Sequence, residues 1–368
     1  MNVEYTVLKR GFDFHQKEYE EVALRVMRSG WYILGPELKA FEAEFASYTG
    51  SKHCIGVNSG TDALILAFRA LGIGEDDEVI VPAGTYIASV IGVTENGSNP
   101  VFVDSDKFLL MDVDDIERHI TERTKAILPV HLYGQSCRMD KVVEIAKKHN
   151  LYIVEDCAQC HGASYNGKMT GTFGTIGCFS FYPTKPLGAF GDAGALVTDD
   201  DDLAEKLRFL RNYGSKVKHH NEINGVNSRM DELQAAILRI GLTYLEEGNT
   251  ERCWIAERYL KEIKNGLIQL PKVAEKATNV FHLFPVICED RDGFQRYLLE
   301  NGIKTQVHYP IPSYVAECYK EWGYAREDFP KASYIAEHEV SLPIYDCMPR
   351  DEVDWVIEVV NHYVGTET

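Results

Sequence analysis

Between Lys52 and Asp156 the chain alternates short apolar runs with amphipathic ones, and no other feature narrows its possible folds so far. His53 to Val57, Glu78 to Pro82, Pro100 to Asp104, Thr124 to Val130 and Leu151 to Asp156 are short runs rich in Val and Ile. Such runs read as strands buried on both faces. The stretches from about Asp62 to Leu71, Tyr86 to Asn96, Asp114 to Ile120 and Met139 to His149 read as helices between them. Strands alternating with helices predict an α/β fold, a mainly parallel sheet with helices on both faces. In such sheets ligands bind beyond the carboxyl ends of the strands, so the residues just after each run are where chemistry is expected.

The most informative of these ends lies in the stretch CFSFYPTKPLGAFGDAGALVT, from Cys178 to Thr198. Cys178 to Tyr182 reads as a buried strand, and Lys185 follows between Pro183 and Pro186, before the glycines Gly188, Gly191 and Gly194. Proline on both sides stiffens the backbone and presents the amine in a set position. A lysine partly withdrawn from water has a depressed pKa and condenses with carbonyls as a Schiff base, the entry to pyridoxal phosphate chemistry. That cofactor needs an amine for its aldehyde, an acid for its pyridine nitrogen, donors for its phosphate and a platform for its ring.

The upstream strand ends offer the other three. Asn58-Ser59-Gly60-Thr61-Asp62 leads from the first strand into a helix, and free N–H groups there form an anion site at Gly60 and Thr61. Pro82-Ala83-Gly84-Thr85-Tyr86 puts an aromatic, Tyr86, where it could stack on a flat ring or simply pack. The most apolar strand of this half ends in Glu155-Asp156, and a buried acid there needs a partner such as a pyridinium N–H. Gln159, three residues on, could donate to the ring oxygen.

Around this centre, a helix is expected from about His15 to Arg28, ended by the loop Gly30-Trp31-Tyr32-Ile33-Leu34-Gly35-Pro36. Leu38, Phe41, Phe45 and Tyr48 mark an amphipathic helix that Gly50 ends. Past a strand from Ala193 to Thr198 and a helix from Asp201, the polar segment Gly214 to Asn227 carries Lys216, Lys218, His219 and His220. It reads as a solvated loop or as a place to meet a phosphorylated substrate. A long helix from Arg229 leads into a second, smaller α+β unit with strands at Val280 to Cys288 and Lys304 to His308 and helices at Asp292 to Asn301 and Asp351 to Tyr363. The expected division is a large unit, 1–250, and a small one, 251–368, with 1–35 free to pack on the latter.

The 38 basic against 56 acidic residues, a net charge of −18, argue against nucleic acid or anionic membranes as partners. The N-terminus has no apolar core of a secretory signal and no run reaches transmembrane length, so a cytoplasmic protein is expected, with its nine cysteines reduced. One segment, Cys157-Ala158-Gln159-Cys160-His161, matches the pattern for covalent haem attachment and contains the cysteine spacing of redox and zinc sites. Without an export signal or a second cysteine pair, it reads instead as two small residues in a tight segment, and no metal is expected.

Jointly, GWYILGPELKAFEAEFA, VNSGTDAL, VIVPAGTYIAS, PVFVD, HLYGQ, VEDCAQCHGA, FSFYPTK with LGAFGDAGA, and GVNSRMDELQAAIL resemble the DegT/DnrJ/EryC1/StrS sugar aminotransferases over nearly the whole length. The resemblance implies the aspartate-aminotransferase-like fold (fold type I), with pyridoxal 5'-phosphate as cofactor. It implies Lys185 as the Schiff-base lysine, Asp156 on the pyridine nitrogen and Gln159 on the ring oxygen. Gly60, Thr61 and Ser180 would hold the phosphate, Asn227 would reach over from a neighbouring subunit, and Tyr86 would lie against the ring. A homodimer with shared active sites follows, taking its amino group from L-glutamate. Cys157 and Cys160 stand where the family more often has alanine.

The resemblance is greatest to members that aminate C3 of dTDP-linked 3-keto-6-deoxyhexoses, with C4 amination of a 4-keto sugar as the alternative and a non-catalytic binding protein on the same fold as a second class. His308, Tyr309, Tyr32 and Tyr182 are candidates to face the sugar or to pack between the two units. The cluster from Lys216 to His220 is a candidate to meet the diphosphate from the partner subunit.

Overall fold

Seven strands form the central sheet of the computed structural model, which describes residues 1–217 and 220–365. They are β1 (His53–Val57), β2 (Glu78–Pro82), β3 (Asn99–Val103), β4 (Thr124–Ile127), β5 (Tyr152–Asp156), β6 (Ile176–Ser180) and β7 (Gly194–Thr198). Their order across the sheet is β1-β7-β6-β5-β4-β2-β3. All are parallel except β7, which runs antiparallel to both β1 and β6. β7 follows β6 through the glycine-rich connection 181–193 and returns beside it in the opposite sense, between β6 and β1.

Helices Gly60–Leu71 and Ile87–Thr94 cover one another and the sheet, and Val57, Ala67, Phe68, Ile80, Val81 and Val154 between them are fully buried. On the far side, helix Pro36–Thr49 buries Phe41 and Phe45 against Phe179 and Phe181, whose rings meet edge to face. Gly50 ends that helix in the left-handed conformation, as its sequence predicts.

The 31-residue helix Glu232–Glu262 spans two cores. Its first half, with Ala235, Leu238 and Leu245, packs with Phe41 and Phe45. Its second half, with Ile255, Ala256 and Tyr259, joins a separate apolar cluster built on the antiparallel pair Phe284–Ile287 and Glu339–Leu342 and on helices Arg291–Glu300 and Arg350–His362. The expected division at 250 and 251 thus falls inside one continuous helix. The N-terminus joins this second core: Val3 is buried in it, its N–H donates to the Gly302 carbonyl at 2.7 Å, and Arg10 grips the Glu352 carboxylate with both terminal nitrogens.

Two expected elements are absent as such. Asp114 to Ile120 makes only a 3-10 turn, Ile116–His119. Lys304 to His308 is no strand: Gln306 alone bridges Ser341, and the N–H of His308 donates to the Glu339 carboxylate at 2.6 Å rather than to a neighbouring strand. Among the described residues no helix is long and apolar enough to cross a membrane.

Candidate active site

The carboxyl ends of β1, β2, β4, β5 and β6 converge on a cavity of about 1380 Å³, closed on its other side by the second core and by residues 5–15. Lys185 reaches it from the turn after β6, where its backbone N–H donates to the Tyr182 carbonyl at 2.8 Å. The Lys185 amine has no hydrogen-bond partner among the described residues. Burial pushes its pKa down to about 8, and the Asp156 carboxylate pulls the other way.

Asp156 is 5% exposed, at the end of β5. Strand alternation turns it to the cavity and its neighbour Glu155 to the opposite face, where Glu155 accepts N–H bonds from Gly171, Phe173 and Gly174. Burial raises the Asp156 pKa, while the Ser89 hydroxyl at 2.8 Å, the Ala158 N–H at 3.1 Å and the nearby Lys185 and His131 favour its charge. Each carboxylate oxygen therefore has one donor and room for another.

After β1, the helix starts at Gly60, two residues before its predicted start, so the N–H groups of Gly60 and Thr61 occupy its first positions and have no acceptor among the described residues. Ser59 caps it by accepting from the Asp62 N–H at 3.1 Å. Ser180 lies against this terminus: a Cβ added at Gly60 would sit 2.5 Å from the Ser180 Cβ. A Cβ at Gly194 would sit 2.3 Å from the Ser59 carbonyl. Only glycine leaves this cradle open.

The cavity wall carries Tyr86, with its ring 4.9 Å from that of Tyr309. Gln159 lies between them and the sheet, accepting from the Tyr133 N–H at 2.6 Å and donating to the Tyr309 hydroxyl at 3.0 Å. His308, Tyr309 and Tyr182 also line the cavity. Burial first, then Lys185, lowers the His308 pKa to about 4.

Other expected residues lie elsewhere. Tyr32 is exposed, with its hydroxyl on the Met27 carbonyl, and Asn227 is exposed and bridged to Asn212; neither lines the cavity. Lys216 pairs with Glu205 at 2.7 Å and His220 with Glu222 at 3.6 Å, both away from the cavity. Lys218 and His219 lie outside the described residues. The haem pattern is closed by burial: Cys157, Cys160 and His161 are all fully buried, leaving no surface for a macrocycle.

Two side chains escaped the sequence reading. Ser89 sits one turn beyond Tyr86 on the same helix, a spacing that could have revealed it. His282 lines the cavity while 7% exposed, has no hydrogen-bond partner among the described residues, and is held well below its usual pKa by burial, Lys185 and Arg252. Nothing in its local sequence marks it out.

An unpartnered, half-buried amine, a carboxylate with spare acceptor capacity, an open N–H cradle and an aromatic wall meet the four needs of pyridoxal phosphate. The model of the DegT/DnrJ/EryC1/StrS aminotransferase family matches residues 14–361. The dTDP-3-amino-3,6-dideoxy-alpha-D-galactopyranose transaminase of Aneurinibacillus thermoaerophilus is 53% identical over 350 residues, 95% of this chain and 96% of its own. The dTDP-3-amino-3,4,6-trideoxy-alpha-D-glucose transaminase of Streptomyces venezuelae is 46% identical, over 98% and 96%. Among solved structures, S. venezuelae DesV in complex with a ketimine intermediate superposes with a TM-score of 0.96 at 46% identity over 98% of both chains. Bacillus subtilis NtdA with bound cofactor PMP gives 0.90 at 33%, over 98% of this chain and 85% of that one.

Proposed function

The chain belongs to the DegT/DnrJ/EryC1/StrS aminotransferase family, and from that premise we propose that it moves an amino group from L-glutamate to C3 of a dTDP-linked 3-keto-6-deoxyhexose, giving a 3-amino-3,6-dideoxyhexose. It is a pyridoxal-phosphate-dependent sugar aminotransferase. The observation that carries the reading is the unpartnered Lys185 amine, lowered to about 8, in one cavity with the buried Asp156. The C3 position and the dTDP handle are supported by the two relatives named for 3-amino dTDP sugars.

When bound, pyridoxal phosphate supplies an electron sink for the pair left behind as a carbon beside the amine loses its proton. Asp156 keeps a proton on the ring nitrogen, which sustains that sink, and Ser89 and the Ala158 N–H hold the carboxylate in place. The Gly60 and Thr61 N–H groups and the Ser180 hydroxyl bind the phosphate at the positive end of the helix. Tyr86 would lie against the ring, and the Gln159 amide would donate to the ring oxygen.

Lys185 performs the proton work. Its amine, neutral in a useful fraction near pH 8, would be the base that takes a proton from the donor's α-carbon and the acid that returns one in the sugar half of the reaction. His308, Tyr309 and Tyr182 face the sugar across the cavity. The exposed Asn227 serves the cofactor of a partner subunit, and Tyr32 and the Lys216 to His220 segment serve its sugar nucleotide, so the working unit is a homodimer. The charged diphosphate keeps the substrate from crossing membranes, so the enzyme works in the cytoplasm.

The test is amino transfer from glutamate to separately prepared dTDP-linked 3-keto and 4-keto sugars. Turnover of the 3-keto sugar with bleaching of the yellow protein by glutamate is expected. Turnover of the 4-keto sugar alone would move the reaction to C4, and a protein with no borohydride-reducible linkage at Lys185 would end the aminotransferase reading.

A further inference from the structure

The catalytic reading leaves Cys157 and Cys160 without a role, although they stand inside the segment that carries Asp156 and Gln159. The Cys160 N–H donates to the Cys157 carbonyl at 3.2 Å, which closes a four-residue turn with the two cysteines at its ends. The ends of such a turn lie less than about 7 Å apart at Cα, and disulfides span Cα separations of about 4.4 to 6.8 Å. The two sulfurs also face each other: they and the nearer nitrogen of His131 all lie within 4.8 Å of one another.

That trio does not suit a metal ion. His131 accepts the Cys137 N–H at Nδ1, 3.1 Å away, so its remaining proton sits on Nε2 toward Glu155 at 3.0 Å, and no lone pair is left to coordinate. What remains is a dithiol in disulfide-forming geometry. Both sulfurs are fully buried, but Ala158 and Gln159 of the same turn line the large cavity, one layer away from a water-sized oxidant.

We propose that Cys157 and Cys160 form a reversible disulfide that switches the active site off by reshaping the turn between Asp156 and Gln159. With hydrogen peroxide, one thiol gives up its proton and its sulfur attacks an oxygen; the O–O bond breaks, leaving a sulfenic acid, and the departing hydroxide takes up that proton as water. The second thiol then displaces the sulfenic oxygen as a second water, forming the S–S bond; two thiols lose two electrons and two protons, and the peroxide takes them up. Drawing the sulfurs from contact distance to about 2.05 Å tightens the turn. Its neighbours cannot follow freely, because Asp156 is tied to Ser89 and Ala158, and Gln159 to Tyr133 and Tyr309.

The consequence rests on the cofactor roles given to Asp156 and Gln159; the disulfide itself does not. The holoenzyme is treated with hydrogen peroxide, alkylated under denaturing conditions and mapped by mass spectrometry, with activity and pyridoxal phosphate affinity measured on the same sample. A 157–160 disulfide is expected, with at least tenfold loss of cofactor affinity and turnover, both restored by dithiothreitol. The C157A/C160A variant, a small-for-small change, keeps basal activity and loses the peroxide response. Reduced thiols at both positions while the exposed Cys318 is oxidised would overturn the disulfide. A mapped disulfide with unchanged affinity and turnover, or an equal peroxide response in the variant, would overturn the switch. None of these outcomes bears on which sugar is aminated.

Discussion

Burial lowers the Lys185 amine to about 8, while the Asp156 carboxylate, itself raised by burial, pulls back through charge. The first effect has a sign that can be checked in cofactor-free protein. Between about 8 and the ordinary 10.5 the folded chain binds fewer protons at Lys185 than the unfolded one. The cost to stability is therefore complete below pH 8 and fades as the pH rises toward 10.5. Against Lys185→Met, the wild type should gain in thermal stability across that window; a gap that stays constant with pH would contradict the burial account. For chemistry, Asp156→Asn should lower kcat on the order of 10²-fold or more while changing cofactor affinity much less. Near-normal turnover would remove the acid from the mechanism. Both residues were readable from sequence because each follows a strongly apolar run. Ser89 was legible only through its one-turn spacing from Tyr86, and His282 not at all, because what brings it to the cavity is the docking of the second core.

At the scale of elements, the phosphate cradle depends on β7 passing tightly beneath the start of helix Gly60–Leu71. A methyl at Gly194 would meet the Ser59 carbonyl at 2.3 Å and the Gly60 nitrogen at 2.7 Å, both backbone atoms that cannot swing aside. Gly194→Ala should therefore weaken pyridoxal phosphate binding at least tenfold and cost about 1–3 kcal/mol in stability. An unchanged cofactor dissociation constant in equilibrium titration would mean that the cradle is looser than its packing indicates. The elements themselves were largely legible: β1 and β2 have the bounds that their apolar runs predict. One of the misses has a clear cause. Lys304 to His308 has strand-like composition, but a side chain, the Glu339 carboxylate, takes the hydrogen bond that a neighbouring strand would have received.

At the scale of the whole molecule, Asn227 and Tyr32 are exposed and away from the cavity of their own chain, as residues serving a partner's site would be. The proposed sharing of sites in a homodimer predicts complementation. Lys185→Ala and Asn227→Ala homodimers, mixed through reversible subunit exchange, should regain about a quarter of the wild-type sites, one in each heterodimer. Absence of any recovery, with exchange verified by mass, would confine each site to one chain. Strand and helix periodicity, and the polar residues placed just after apolar runs, were enough to determine an α/β sheet and the group at its carboxyl edge, because these are local properties of hydrophobic spacing. Only the tertiary structure decided which way the acids at the end of β5 point, which distant side chains close the cavity, and that Cys157 and Cys160 face each other. Which acid meets the cavity and which side chains close it depend on packing between segments far apart in the chain, and the facing of the two sulfurs depends on how the turn after β5 closes; a sequence pattern encodes neither.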